Sequence, residues 1–65
     1  MQETNLIDDR YLTVKAVARK LNLPRSKVYQ LIQKKEIPFV RINNTYRIPE
    51  RLLESWIREH LFLPK

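Results

Sequence analysis

Positively charged side chains dominate the middle of the sequence. Residues 10–48 contain ten Lys and Arg residues but only one acid, Glu36. Such a segment repels itself unless a polyanion lies against it, and nucleic acid is the commonest polyanion in a cell. A solvated basic surface is the alternative, because small domains often carry excess positive charge for solubility. The ten cations are Arg10, Lys15, Arg19, Lys20, Arg25, Lys27, Lys34, Lys35, Arg41 and Arg47.

Residues that could carry catalysis or bind a metal ion are scarce. The sequence has no cysteine and no glycine, and His60 is its only histidine. A lone histidine is more typical of packing or solvent exposure than of metal ligation, and the acids stand mostly in the terminal segments, away from any nucleophile. Without glycine, the loops that bring backbone amides against nucleotide phosphates are missing. We therefore expect no enzyme activity, no cofactor and no metal site.

The length of the chain bounds its architecture. A chain of 65 residues and 7.9 kDa supports one small domain. The first nine residues are acidic and show no sustained periodicity, so we expect residues 1–10 to form a flexible arm and residues 11–63 to form the domain. No apolar run approaches the roughly 18 residues of a membrane helix, and no secretory signal is visible. We expect a cytoplasmic protein with no membrane partner.

Two helices are indicated in the first half of the chain. Val14, Val17, Ala18 and Leu21 have the spacing of one helical face, and Thr13 stands where a side chain caps the first turn. The break at 22–24 contains an asparagine that tolerates the left-handed conformation and a proline that suits a helix start. A second helix is predicted over 24–34, with Val28, Leu31 and Ile32 facing inward. Its outer face has no acid and consists of Arg25, Ser26, Lys27, Tyr29, Gln30, Gln33 and Lys34.

The segment 37–49, IPFVRINNTYRIP, predicts a short hairpin around Asn43 and Asn44. A two-residue loop would pair Ile42 with Thr45 and divide the apolar residues between the two faces. A three-residue loop, or a bulge, would pair Ile42 with Tyr46 and Val40 with Ile48, and would turn Arg41 and Arg47 together away from the core. We expect the three-residue loop, because it gathers the apolar side chains on one face.

A third helix follows Pro49 and is expected to end at Pro64. Its apolar stripe contains Leu52, Leu53, Trp56 and Ile57, continued by either His60 or Leu61. At this spacing Trp56 is expected in the core and not on a surface for base stacking. The sequence thus predicts a mainly α domain of three helices, with a two-stranded β-hairpin between the second and third.

The first two helices resemble a DNA-binding helix-turn-helix. Ala18 is the small residue that allows close helix approach, Asn22 stands at the turn, and Val28 is the buried contact of the second helix. Residues 11–57 as a whole resemble the excisionase-type, MerR-related winged helix-turn-helix family in their LTV, VYQLI, IP and RIP motifs and in the tryptophan of the last helix. The chain departs from that pattern at Lys35, where glycine is frequent, and at Asn43 and Asn44, where two glycines are frequent.

The resemblance implies a small winged helix-turn-helix that binds double-stranded DNA with a sequence preference. Its second helix would lie in the major groove, and its hairpin wing on the flanking minor groove or backbone. Arg25 would read guanine, Gln30 would address adenine or a phosphate, and Tyr29 would contact backbone or a thymine methyl. A phosphate would bind at Thr13. The expected DNA-binding residues are Thr13, Arg25, Ser26, Lys27, Tyr29, Gln30, Gln33, Lys34, Arg41, Asn43, Asn44 and Arg47.

Several biological roles fit this resemblance. An excisionase-like accessory or architectural factor of a bacterial or phage mobile element is the leading one, and a small transcriptional repressor or a module of a larger recombinase are alternatives. A basic protein-interaction module is the alternative outside DNA binding. Because one small domain contacts a short site, a recombinase or further copies of the chain are expected as additional partners. Leu61, Phe62 and Leu63 would either face such a partner or close the core.

Overall fold

The computed structural model describes residues 9–64. In chain order the elements are β1 (Tyr11–Leu12), α1 (Val14–Leu21), α2 (Arg25–Gln33), β2 (Val40–Ile42), β3 (Thr45–Pro49) and α3 (Glu50–Glu59). The predicted three helices and the hairpin between the second and third are confirmed, as expected for a winged helix-turn-helix. We call residues 40–49 the wing. Of the predicted N-terminal arm, residues 1–8 lie outside the described residues.

A third strand that the sequence pattern did not indicate completes the sheet. The strand order is β1-β3-β2, and β1 pairs antiparallel with β3, with Leu12 opposite Ile48. The backbone N–H of Glu50 also donates to the carbonyl of Arg10, at 2.8 Å. Two residues are too short a run to show strand alternation, so β1 is defined by its partner and not by its own sequence.

The ends of α1 follow from its sequence. The Thr13 hydroxyl accepts a hydrogen bond from the backbone N–H of Ala16 at 3.0 Å, which confirms the predicted cap. At the other end Asn22 adopts a left-handed conformation with φ 58°, and the N–H of Leu23 donates to the carbonyl of Ala18. These bonds satisfy carbonyls that the end of a helix leaves without partners, and they turn the chain sharply into α2.

The second helix begins at Arg25, one residue after its predicted start, because Pro24 is extended and serves as the N-cap. It ends in the same type of turn as α1, with Lys35 at φ 59° and the N–H of Glu36 donating to the carbonyl of Leu31 at 2.9 Å. A lysine therefore holds a left-handed position that favours glycine.

The core lies between α1, α2, the inner strand β3 and α3. Val17, Val28, Ile48 and Leu53 are completely buried. One residue from each of four elements therefore forms the centre of the domain, so all four elements must fold together. The complete set of buried apolar residues is Val14, Val17, Ala18, Val28, Ile32, Ile37, Ile48 and Leu53.

The predicted three-residue hairpin loop is wrong. The wing has the two-residue loop, which pairs Ile42 with Thr45 and Arg41 with Tyr46. Asn43 supplies the positive φ, 56°, that a tight hairpin turn requires at its first central position. The expected gathering of apolar residues fails because Ile42 is not a core residue and is 58% exposed at the wing tip. Its cross-strand partner is the polar Thr45, also exposed.

The corrected register also separates the two wing arginines. Arg41 shares a face with Tyr46, whereas Arg47 is opposite Val40 and shares a face with it. The expectation that Arg41 and Arg47 point to the same side is therefore wrong. Arg41 and Arg47 therefore have different surroundings.

The third helix differs from its predicted stripe at two places. Leu53 is buried, and Trp56 and Ile57 are half-buried against the core, but Leu52 is exposed, and so are both candidates for the last position of the stripe, His60 and Leu61. The helix ends at Glu59 and not near Pro64.

The side chain of Trp56 lies one turn before that end. Its N–H donates to the carbonyl of Glu36, and its ring lies 4.2 Å from that of His60, which is exposed. Trp56 is thus a packing residue that ties α3 to the turn after α2.

None of the helices found over residues 9–64 has the length and apolarity to cross a bilayer.

Candidate functional site

A cavity of about 270 Å³ lies where the start of α1, the start of α2 and the wing meet. We call it the wing cleft. Three of its lining residues are cations, and none of the described lining residues is an acid. The wing cleft is lined by Thr13, Val14, Lys15, Arg25, Tyr29, Asn44, Thr45, Tyr46 and Arg47. Five of the twelve predicted DNA-binding residues therefore come together here, namely Thr13, Arg25, Tyr29, Asn44 and Arg47.

The outer face of α2 is free of acids and open to solvent. Arg25 and Tyr29, one helical turn apart, lie in the wing cleft, and Tyr29 is 43% exposed. The other predicted residues of this face are exposed but do not line the cleft: Ser26, Lys27, Gln30, Gln33 and Lys34. The predicted orientation of α2, with Val28 inward and these residues outward, is confirmed.

The first turn of α2 is positively charged. It holds two cations, Arg25 and Lys27, and no acid, and the N-cap residue Pro24 makes no side-chain hydrogen bond to the helix. The N-terminal end of a helix carries a partial positive charge that favours anions. Arg25 and Lys27 therefore repel the partial positive charge at the start of α2, unless an external anion lies close enough to compensate for it. The arrangement is suited to a polyanion.

The two wing arginines are held by the wing's own backbone. Nη1 of Arg47 donates to the carbonyl of Tyr46 at 2.8 Å, and Nε of Arg41 donates to the carbonyl of Asn43 at 3.2 Å. Because a guanidinium has five N–H donors, each keeps donors for a ligand. Arg47 is half-buried and lines the wing cleft, whereas Arg41 and Asn43 are exposed at the tip and do not line it.

A chain of three aromatic rings connects α2 with the wing. The ring of Tyr29 meets that of Tyr46 edge-on, with centroids 6.3 Å apart, and the ring of Tyr46 meets that of Phe39 in the same way at 5.7 Å. Edge-to-face pairs at these distances are favourable. Tyr46 is therefore the central ring between the helix surface and the base of the wing.

Four lining residues of the wing cleft are outside the predicted DNA-binding set, namely Val14, Lys15, Thr45 and Tyr46. Lys15 lines both the wing cleft and a neighbouring cavity that also contains Arg19 and Arg25. Its position two residues after the cap Thr13 was a usable signal, because it places Lys15 in the first turn of α1. Tyr46 gave no such signal, since its position depends on the hairpin register.

Comparison with known proteins identifies the family. No curated protein and no solved structure matches the chain significantly. The family model described as "Helix-turn-helix domain" matches residues 11–61, which covers α1, α2, the wing and α3. A domain of this family implies DNA binding and is not itself enzymatic. The chain, with an acid-free second helix and a basic cleft beside it, therefore belongs to the helix-turn-helix domain family.

Proposed function

We propose that the chain is a sequence-preferring, double-stranded DNA-binding protein of the excisionase type. In this proposal α2 lies in the major groove and the wing lies on the flanking minor groove or backbone. The observation that carries it is the wing cleft, in which Lys15, Arg25 and Arg47 from three different elements converge with no acid among the described lining residues. A B-form major groove about 12 Å wide admits a single helix such as α2.

The exposed residues of α2 divide into readers and positioners. Arg25, in the first turn, has the bidentate donors that match O6 and N7 of guanine, and Gln30 has the amide that matches adenine or a phosphate. Tyr29 has one side against Tyr46 and presents the rest of its ring to backbone or a thymine methyl. Side chains of the remaining face position the helix through phosphate contacts: Ser26, Lys27, Gln33 and Lys34.

The start of α1 holds a phosphate in this proposal. Thr13, Val14 and Lys15, at the start of α1, line the same cleft, and the N-terminal end of a helix favours anions. The Thr13 hydroxyl already accepts a bond from Ala16, and its proton remains available to donate to a phosphate oxygen.

The wing supplies the second groove contact. Arg47, anchored on the carbonyl of Tyr46, approaches the backbone from inside the cleft. At the tip, Arg41, Asn43 and Asn44 reach the minor groove, whose narrow stretches attract arginine. The two arginines thus serve different contacts, as their opposite faces require.

The biological role that we propose is an accessory or architectural factor of a mobile element, acting on DNA in the bacterial cytoplasm. The resemblance of residues 11–57 to the excisionase-type family supports this role. Residues 61–63 support a further partner, a recombinase or a second copy on the DNA, because Leu61, Phe62 and Leu63 are 61%, 81% and 72% exposed. They do not close the core, so three apolar side chains remain available for contact.

Selection of bound duplexes from a random pool tests this proposal. We expect recovery of one preferred motif, and we expect that motif to recur at a recombination attachment end near the chain's own gene. A motif that overlaps only a promoter would instead indicate a repressor. Failure to enrich any duplex would contradict DNA recognition and would favour a basic protein-interaction module.

A further inference from the structure

The exposed tip of the wing is connected to the rest of the domain through few half-buried residues. Residues 41–45 are all exposed, and Tyr46 is the first residue of the returning strand whose side chain is half-buried. Farther along, β3 packs against α1 and α3, whereas α2 packs against α1. A two-stranded hairpin is only marginally stable by itself. The direction of the wing tip relative to α2 therefore depends on what Tyr46 contacts.

Tyr46 contacts one ring on each side. Phe39, which precedes β2 and packs on the core, lies 5.7 Å away, and Tyr29, on the outer face of α2, lies 6.3 Å away. The carbonyl of Tyr46 also accepts the hydrogen bond from Arg47. One residue thus links the core, the helix and the wing arginine that lines the cleft.

We propose that Tyr46 is a positioning residue, which fixes the wing relative to α2 so that both engage one DNA site at the same time. This inference rests on the proposed DNA-binding function and adds a specific determinant to it. When the wing is held at a fixed separation from α2, its contact with DNA becomes intramolecular and is favoured by a high effective concentration. A wing that swings spends most of its time away from its contact, although every DNA-contacting side chain is still present.

The ring of Tyr46, and not its hydroxyl, performs this function, because both aromatic contacts are edge-to-face ring contacts. Tyr46→Phe keeps the ring and should bind the selected duplex like the wild type. Tyr46→Leu removes the ring and should weaken that binding about tenfold. Tyr11→Leu is the matched control, since Tyr11 belongs to β1, on the edge of the sheet opposite β2.

Footprinting distinguishes positioning from a general loss of structure. Dimethyl sulfate reports protection of guanine N7 in the major groove, and hydroxyl radicals report protection of sugars along the minor groove. For Tyr46→Leu, assayed at a temperature where melting shows it folded, we expect the major-groove protection to remain and the flanking minor-groove protection to disappear. Tyr46→Phe should restore both protections, and Tyr11→Leu should keep both.

Three results would overturn this inference. Equal losses in Tyr46→Phe and Tyr46→Leu would show that the hydroxyl contacts DNA directly. Loss of both protections together in folded Tyr46→Leu, or retention of both, would show that Tyr46 does not set the wing. If the wild type protects no duplex at all, the proposed function fails as well. Wild-type protection combined with an unaffected Tyr46→Leu footprint overturns the role of Tyr46 alone.

Discussion

The second and third helices are built alike but present different surfaces. α2 has nine residues and α3 has ten, and each begins after an extended proline that makes no side-chain cap. α3 has an acid, Glu50, in its first turn and a base, Arg58, in its last, which is the distribution that the helix dipole favours. α2 has no acid in its first turn and no base in its last.

This difference separates a helix adapted to the domain from one adapted to a ligand. α3 carries an acid and a base at the ends where the helix dipole favours them, and its Leu53 and Trp56 pack at the core. α2 contributes Val28 and Ile32 to the same core, but its first turn holds cations and no acid, at the helix end that favours anions. The helix with the less favourable charge distribution, α2, is therefore the one that we assign to DNA.

Truncation of Leu53, the buried residue of α3, should have the largest effect on stability. Leu53 is completely buried, so Leu53→Ala should lower the free energy of unfolding by about 2–5 kcal/mol, through lost burial and a residual cavity. Val28→Ala, its equivalent in α2, removes fewer atoms and should cost about 1–3 kcal/mol. Chemical denaturation measures both. An unchanged midpoint for either variant would show that its helix faces the other way.

The arginines of α2 and the wing should differ in specificity. Arg25→Ala should weaken binding to the selected duplex by about 1–3 kcal/mol and binding to random duplex much less, because it removes a base contact. Arg47→Ala should weaken both to a similar extent, since it removes a backbone contact. Arg58→Ala in α3 is the control and should change neither. Equal losses on the two duplexes for Arg25→Ala, measured by titration, would contradict its role as a reader.

The ends of the two helices offer a smaller contrast. Lys35, after α2, has φ 59°, whereas His60, after α3, has φ −99°. Lys35→Gly should raise the free energy of unfolding by roughly 0.5–1 kcal/mol, because glycine removes the left-handed strain. His60→Gly should give no gain, since its φ is negative and it loses the stack on Trp56. Thermal melting compares the two, and a gain in His60→Gly alone would reverse this explanation.

The first turns of α2 and α3 provide the comparison with the smallest expected change in stability. Lys27→Glu and Arg51→Glu each place an acid near a helix start and change the net charge equally. Both should stabilise the domain by about 0.3–1 kcal/mol, through the helix dipole. Lys27→Glu should weaken DNA binding strongly, whereas Arg51→Glu should weaken it only through net charge. Similar binding losses in both variants would mean that α2 has no special position on DNA.

Much of the fold could be predicted because helical spacing is a local property. The apolar positions of α1 and α2 and the cap at Thr13 each depend on residues within a few turns. The hairpin register could not be obtained in this way, because the prediction assumed that Ile42 belongs to the core, and only tertiary packing shows that the wing tip projects beyond it. The short β1 was missed for the same reason, since its identity depends on Ile48 and Pro49.

The residues of the candidate site also divide into those that local sequence predicts and those that only tertiary packing brings together. The outward face of α2 follows directly from periodicity, so Arg25 and Tyr29 could be named from the sequence. Lys15 and Tyr46 could not, because their proximity to Arg25 and Tyr29 arises only when α1, α2 and the wing are assembled. The placement of Arg41 and Arg47 on opposite faces of the hairpin likewise follows only from the register of β2 and β3.

The salt dependence of duplex binding tests the central claim most directly. If α2, the start of α1 and the wing together neutralise about six phosphates, a plot of log association constant against log salt concentration should have a slope near −5. Arg51→Glu should leave that slope nearly unchanged, and Lys27→Glu should make it shallower. No duplex binding at low salt, or binding with a slope near zero, would contradict the assignment of this surface to DNA.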